Sequence, residues 1–468
     1  MSALLISLSI IIGVAIALLV SGGPGAVLVC AVAAASAWFA VNVKGPDRSF
    51  LLRLFLGGLL ARVLVGTAIY LFDAQEFFGP DALTYDYEGH LMLDYVNGIA
   101  PAGIADEMSL SVAGRGMAYL VAIIYGLTGR NMLAVQLFNA ALGATTALLI
   151  FLCAQHIFGN ARVARIAATL VAFFPSLVLW SSQGLKDGPV VFLLAATMLA
   201  TLKLGERLSV PNLMLLIAGM LATLTLRFYI FYMLAAAVVG SFVVGMRAFS
   251  AMSLARQVAV VFFAGLALTY VGVLRTASTQ MESYGSLESV QRSRADLAGS
   301  ANTGFGKDAD VSTASGALTV IPLGMAYLLF APFPWQIGSV RQLITFPEML
   351  VWWASFPLIV SGLRFTLRFR LRQAMPILLF TTMLTFAYSI FQGNVGTAYR
   401  QRSQLLVFYF IFAAVGAVLL REKSEDRERA RRRVSEAARE QVASLRGARV
   451  VALREGEPGT ARAAAEEV

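Results

Sequence analysis

Cysteine and histidine are nearly missing from this chain: Cys30, Cys153, His90 and His156 are all that 468 residues contain. Both cysteines lie inside apolar runs and the histidines are far apart, so neither a disulfide framework nor a Cys/His metal cluster can be assembled. Charge is scarce as well. Charged residues make up 14% and apolar residues 58%, where soluble domains carry about 25% and roughly 45–50%. With a mean hydropathy of +0.74, this excludes an ordinary cytosolic protein. The net charge of +10 is not gathered into a soluble basic domain long enough to hold a duplex, so nucleic acid is not the expected partner. In a membrane protein, lysine and arginine mark the cytoplasmic face.

What the sequence does have is long apolar runs. A bilayer core needs roughly 20 mainly apolar residues per helix, and twelve runs qualify: 3–20, 26–43, 50–72, 132–156, 163–182, 188–204, 211–226, 228–246, 257–274, 346–363, 374–391 and 404–420. The first reads as a retained span rather than a cleaved signal peptide. Two further stretches, 116–128 and 317–335, are short or broken by proline. They are read as an outer-face juxtamembrane helix and as a re-entrant or amphipathic element. That choice places KGPDR (44–48), FGNARVAR (158–165), MRAF (246–249), RFTLRFRLRQ (364–373) and the Arg-rich tail on one side, as the positive-inside rule requires. The expected protein is all-α and polytopic, with about twelve spans and both termini cytoplasmic.

Its parts are an N-terminal helix pair (1–43), a membrane core (44–274) with a first outer loop at 73–131, an outer polar segment (275–345), C-terminal helices (346–420) and a charged tail (421–468). Opposed charges at helical spacing make the tail a solvated helix, and its basic excess at 427–433 suits anionic membrane lipids. The 289–313 segment is polar and rich in Gly and Ser, as a mobile lid would be.

Chemistry-bearing residues gather on the other face. The loop from 73 to 115 holds eight carboxylates against one arginine, Arg115. A carboxylate fixed at a membrane surface can take a proton from a hydroxyl or hold a divalent cation that positions a phosphate. Asp81 follows the rigid Gly79-Pro80 turn, with Tyr85 one helical turn on and Asp86 directed elsewhere. Helix capping suits Asp81 equally well. In the tight turn before Gly188-Pro189, Lys186 and Asp187 offer a phosphate-binding ammonium and a second carboxylate, although Asp187 is also a good helix-start residue. Arg227, between two apolar runs, and the Arg400/Arg402 pair before the last run put positive charge where orientation disfavours it. Arginine there suits a phosphate, and snorkelling from a helix end is the alternative. Trp335 in the PFPW turn fits either an interfacial belt or a substrate contact. Arg62 lies at depth in the third span and needs a buried acceptor or a ligand.

The order of these parts resembles the membrane-embedded glycosyltransferases of the GT-C superfamily. The resemblance is carried by an Arg-containing span, the outer loop PDALTYDYEGHL, and the run from RNMLAVQLFNAALG to SSQGLKDG, and covers roughly residues 50–245. Segment 289–403, with RADLAG, PFPWQ and GNVGTAYRQRS, looks like membrane proteins of bacterial exopolysaccharide and surface-glycan clusters. The resemblance implies transfer of a sugar, with inversion, from a polyprenyl-phosphate carrier to a glycan, lipid or protein acceptor outside the plasma membrane. By position it assigns catalysis to Asp81. Tyr85, Asp86, Asp187 and Trp335 would shape the substrate site, and Lys186, Arg227, Arg400 and Arg402 would hold phosphate. No tight Asp-x-Asp or Glu-x-Asp pair stands at Asp81, which leaves a divalent metal open. A polymerase or ligase of lipid-linked polysaccharide, and a lipid-linked glycan transporter, are the competing expectations.

Overall fold

In a computed structural model, residues 2–41, 45–100, 114–244, 251–273, 280, 285–299 and 303–454 are described. Asp106 and Glu107 of the first outer loop, the MRAF segment and the end of the tail lie outside them. Among the described residues there are 19 α-helices and no strand. They run α1 (Ser2–Leu19), α2 (Gly23–Val41), α3 (Arg48–Leu71), α4 (Gln75–Phe78), α5 (Asp81–Val96), α6 (Gly116–Thr128), α7 (Met132–Phe158), α8 (Ala161–Phe173), α9 (Pro175–Ser181) and α10 (Asp187–Glu206). The second half continues with α11 (Val210–Leu226), α12 (Phe228–Val244), α13 (Ala251–Tyr270), α14 (Leu287–Gly299), α15 (Ala314–Phe330), α16 (Val340–Phe369), α17 (Leu371–Phe391), α18 (Val395–Gln401) and α19 (Ser403–Arg454).

The described part of each of the twelve expected runs is helical, with 163–182 divided between α8 and α9. Seven helices (α2, α3, α7, α10, α16, α17 and α19) are long and apolar enough to cross a membrane, and the bent pair α8–α9 makes an eighth. The remaining expected runs coincide with α1, α11, α12 and α13, which are shorter apolar helices. α6 packs on α5 and α7, burying Met117, Val121 and Tyr125 while Ile123 and Leu127 stay exposed. The 317–335 element is one helix, α15, with Pro322 inside it, followed by a single 3-10 turn at Pro334–Gln336. α15 lies against α17 so closely that a Cβ on Gly324 would meet the Ser389 carbonyl.

α7 and α10 are the centre of the packing: most residues of their spanning windows are buried, and both are apolar all round, as buried helices are. α2, α3 and α8 pack on α7, and α11 packs on α10. The chain divides into two compact units, Met1–Val415 and Gly416–Val468. In the second, described residues 421–446 are almost all exposed.

The break between α8 and α9 turns the chain by 56°. Its cause is Pro175, which has no N–H to return to the Val171 carbonyl and which forces Phe174 into an extended conformation. At the far end of α3, the Asp47 carboxylate pairs with Arg165 at 2.5 Å, joining the KGPDR and FGNARVAR segments.

Candidate active site

Four chain segments converge on one ionic cluster. Asp81 and Asp187 are each the first residue of a helix, and neither helix start has a side-chain capping hydrogen bond. Both carboxylates instead accept from arginine. Arg400 donates through Nη1 to Asp81 Oδ2 and through Nε to Asp187 Oδ2, each at 2.6 Å. Arg227 donates through Nη2 to the other Asp187 oxygen at 2.8 Å and through Nη1 to the Tyr229 hydroxyl at 2.7 Å. Asp187 is therefore saturated by two guanidiniums and has no exposed side-chain surface, whereas the Asp81 side chain is half exposed and has one ionic partner. Arg227 Nε and Arg400 Nη2 are buried donors with no partner in the protein.

The segments are held where they are by identifiable contacts. Asn139 on α7 donates to the carbonyls of Gln183 (2.7 Å) and Leu185 (2.8 Å), fixing the turn that presents Lys186 and Asp187. Gly79 sits against the same turn. A Cβ there would stand 2.7 Å from Gln183 Oε1 and 2.9 Å from Leu185 Cδ1, so a larger residue would have to move those two side-chain ends. Arg227 sits between α11 and α12 in extended backbone, its N–H closing α11 on the Thr223 carbonyl at 2.8 Å. Arg400 is carried by α18, which Asn394 caps through Gly396 N–H. Ahead of it, Phe305 N–H bonds the Gly393 carbonyl (2.8 Å) and Val395 N–H the Thr303 carbonyl (3.1 Å). Arg294 of the RADLAG element donates to the carbonyls of Ile390 and Gln392 that end α17. The RADLAG and GNVGTAYRQRS segments thus form one bracket that places Arg400.

Lys186 is half-buried with its Nζ over the Tyr85 ring, 5.6 Å from the centroid. Burial, and then the Arg227 charge, hold its ammonium below the usual lysine range. Burial, and then the Asp81 carboxylate, push the Tyr85 hydroxyl above the usual tyrosine range, so Tyr85 is a neutral donor at physiological pH. A small cavity of about 20 Å³ is lined by Asp187, Arg62, Thr146, Ser181 and Ser403 among others.

Three other candidates stand apart from the cluster. Asp86 accepts from the Tyr125 hydroxyl and from Arg130, whose Nη2 lies at 2.5 Å, and so ties α5 to α6 and the start of α7. Arg402 is fully buried and donates to the carbonyls of Leu328 and Ala331 and to the Met349 sulfur. Trp335 is 78% exposed and stacked on Phe333 at 5.0 Å. Arg62 finds no carboxylate either: it donates to Ser181 Oγ at 2.8 Å and to the carbonyls of Gly58, Ala172 and Val171. Sequence reasoning missed Asn139 and Arg294. A buried amide or guanidinium reaching distant carbonyls leaves no local pattern.

Among the described residues, no group of three His, Cys, Asp or Glu side chains is arranged to hold a metal. The cluster, three cations around two carboxylates, keeps one net positive charge and two unpartnered guanidinium donors, which suits an anion. Residues 115–273 match the family described as dolichyl-phosphate-mannose-protein mannosyltransferase. The matched stretch contains Lys186, Asp187 and Arg227; Asp81 and Arg400 lie outside it. No curated protein and no solved structure matches the chain. The family match supports a GT-C superfamily membrane glycosyltransferase, in agreement with the resemblance read from the sequence.

Proposed function

We propose that this protein transfers a sugar from a polyprenyl-phosphate carrier to an acceptor hydroxyl at the outer face of a bacterial plasma membrane, with inversion at the anomeric carbon. The observation that carries this reading is the unequal state of the two carboxylates. Asp187, buried between Arg227 and Arg400, is an anchor that aims two guanidiniums. Asp81, half exposed at the rim, is the carboxylate an acceptor can reach.

The acceptor oxygen attacks the anomeric carbon from the face opposite the phosphate. The bond from that carbon to the carrier phosphate breaks, its electron pair leaves with the phosphate, and the hydroxyl proton passes to Asp81. The leaving phosphate gains one negative charge in this step. Arg227 Nε and Arg400 Nη2, buried without a partner, together with Lys186, meet that charge with donors already in place, which is how a fixed ionic site lowers a barrier. Tyr85, neutral and under Lys186, keeps the ammonium on the side of the phosphate.

The outer-face assignment rests on charge. The Asp47–Arg165 link gathers two basic segments at the start of α3, while Asp81 follows the end of that 24-residue helix, about 36 Å away at 1.5 Å per residue. Lysine and arginine loops face the cytoplasm, so the ionic cluster faces out. A membrane surface also supplies the lipid carrier without a nucleotide-binding domain.

The test is transfer from a radiolabelled polyprenyl-phosphate monosaccharide in proteoliposomes, comparing wild type with Asp81→Asn. Transfer by wild type and its loss in the folded variant are the expected results. Wild type that uses only lipid-linked oligosaccharide, or moves it without forming a bond, would overturn the reading in favour of a polymerase or a transporter.

A further inference from the structure

Arg62 and Glu348 are ionisable side chains of two candidate spanning helices, α3 and α16, 1% and 7% exposed, and the chemistry above uses neither. They meet the same object from opposite sides. The break at Pro175 takes the helical partners from α8 carbonyls, among them Val171, because Pro175 has no N–H, and Ala172, because Ser176 N–H points elsewhere. Arg62 from α3 donates to both, at 3.2 and 2.6 Å. Ser176 N–H, at the start of α9, donates to Glu348 Oε2 of α16 at 2.6 Å. A guanidinium therefore closes the C-terminal end of α8, and a carboxyl group receives the first free N–H of α9. Arg62 has no carboxylate partner, and Glu348 also meets the Tyr399 hydroxyl and the charge of Arg402.

Arg62 also reaches the other end of α9. Its Nε donates to Ser181 Oγ at 2.8 Å, and Gly143 leaves the room, since a Cβ there would stand 2.4 Å from Ser181 Oγ and 2.6 Å from Arg62 Nε. Ser181 opens the turn that ends at Asp187, and Arg62, Ser181 and Asp187 line one small cavity. One side chain thus spans the seven-residue α9 from the break to the turn.

We infer that Arg62 and Glu348 are positioning residues: by holding the Pro175 break they set the height of α9, and through Ser181 and Asp187 the placement of Arg227 and Arg400. The consequence for catalysis rests on the proposed transfer reaction, and the consequence for the turn does not. The experiment separates them by following both.

Leu185, fully buried in the turn, is replaced by cysteine as a reporter for a membrane-impermeant maleimide; Cys30 and Cys153 are themselves buried. The reporter is combined with Arg62→Met, Arg62→Lys, Glu348→Leu, Glu348→Gln or, as control, Arg165→Gln in the first half of α8, where it pairs with Asp47. Donor KM and kcat are measured on the same variants without the reporter. Labelling should rise at least fivefold with Arg62→Met and Glu348→Leu and stay at the parent rate with Arg165→Gln and with Glu348→Gln, whose amide oxygen still accepts from Ser176. Donor KM should rise about tenfold in the variants that label. Arg62→Lys, with one nitrogen for four acceptors, should fall between wild type and Arg62→Met, and it decides the matter if Arg62→Met does not fold. Unchanged labelling in folded Arg62 and Glu348 variants overturns the inference, as does a reporter already fully reactive in the parent. If wild type transfers nothing while labelling follows the expected order, the positioning stands and the proposed reaction falls.

Discussion

Arg400 pairs with Asp81 across 319 positions of sequence, Nη1 to Oδ2 at 2.6 Å, while its Nε holds Asp187. One guanidinium thus links the carboxylate open to an acceptor with the carboxylate that is not. Asp81→Asn keeps the shape and one acceptor oxygen but cannot take a proton. Transfer should fall at least about 100-fold, the usual span of a lost general base, with melting behaviour close to wild type. Radiolabel transfer and a thermal-shift scan on the same preparation check both.

Asp187→Asn should behave in the opposite way. It leaves Arg227 and Arg400 buried without their shared counter-charge, a change that costs about 3–5 kcal/mol in buried ion pairs. Folded protein should drop sharply, measured as the monodisperse fraction after solubilisation. An Asp187→Asn protein that is as stable as wild type and merely inactive would count against the anchor role.

Arg400→Lys retains charge but loses the planar fork that serves Asp81, Asp187 and the unpartnered Nη2 position together. The expected result is a donor KM raised about tenfold, equal to about 1.4 kcal/mol, with acceptor KM little changed. Steady-state kinetics with donor and acceptor varied separately distinguish the two.

Lys186 gives the site a pH limb. Its ammonium is held below the usual lysine range by burial and by Arg227, and only the protonated form attracts phosphate. Donor affinity is therefore complete at pH values below that lowered pKa and is lost as pH rises through it, earlier than for an exposed lysine. Lys186→Arg should move the limb to higher pH, and Lys186→Met should remove it while weakening binding at neutral pH. Donor KM measured from pH 6 upward reports each outcome.

Asp86 should prove dispensable for chemistry. Its partners are Tyr125 and the half-exposed Arg130, and solvent screens the pair, so Asp86→Asn should cost about 1 kcal/mol of stability. The turnover per folded molecule should be unchanged.

The sequence by itself determined the class of this protein. Apolar runs of spanning length permit only helices in a bilayer, because the backbone must satisfy its own polar groups there, and the described part of every expected run is helical, broken once at Pro175. It also determined which residue types were out of place, since a charge beside or within an apolar run costs energy unless something receives it. That is why Asp81, Lys186, Asp187, Arg227 and Arg400 could be singled out, and Arg62, Arg402 and Asp86 with them. The sequence could not say which of these charges meet each other. Arg402 and Arg400 are two residues apart, yet one faces the carbonyls of Leu328 and Ala331 and the other two carboxylates, because two steps of helical backbone turn a side chain to the opposite face. Arg62 satisfies carbonyls that a proline more than a hundred positions away sets free. Only tertiary structure decides such pairings, since a buried charge takes whichever unsatisfied group the packing brings within 3 Å, and that neighbour is set by helix packing rather than by spacing along the chain.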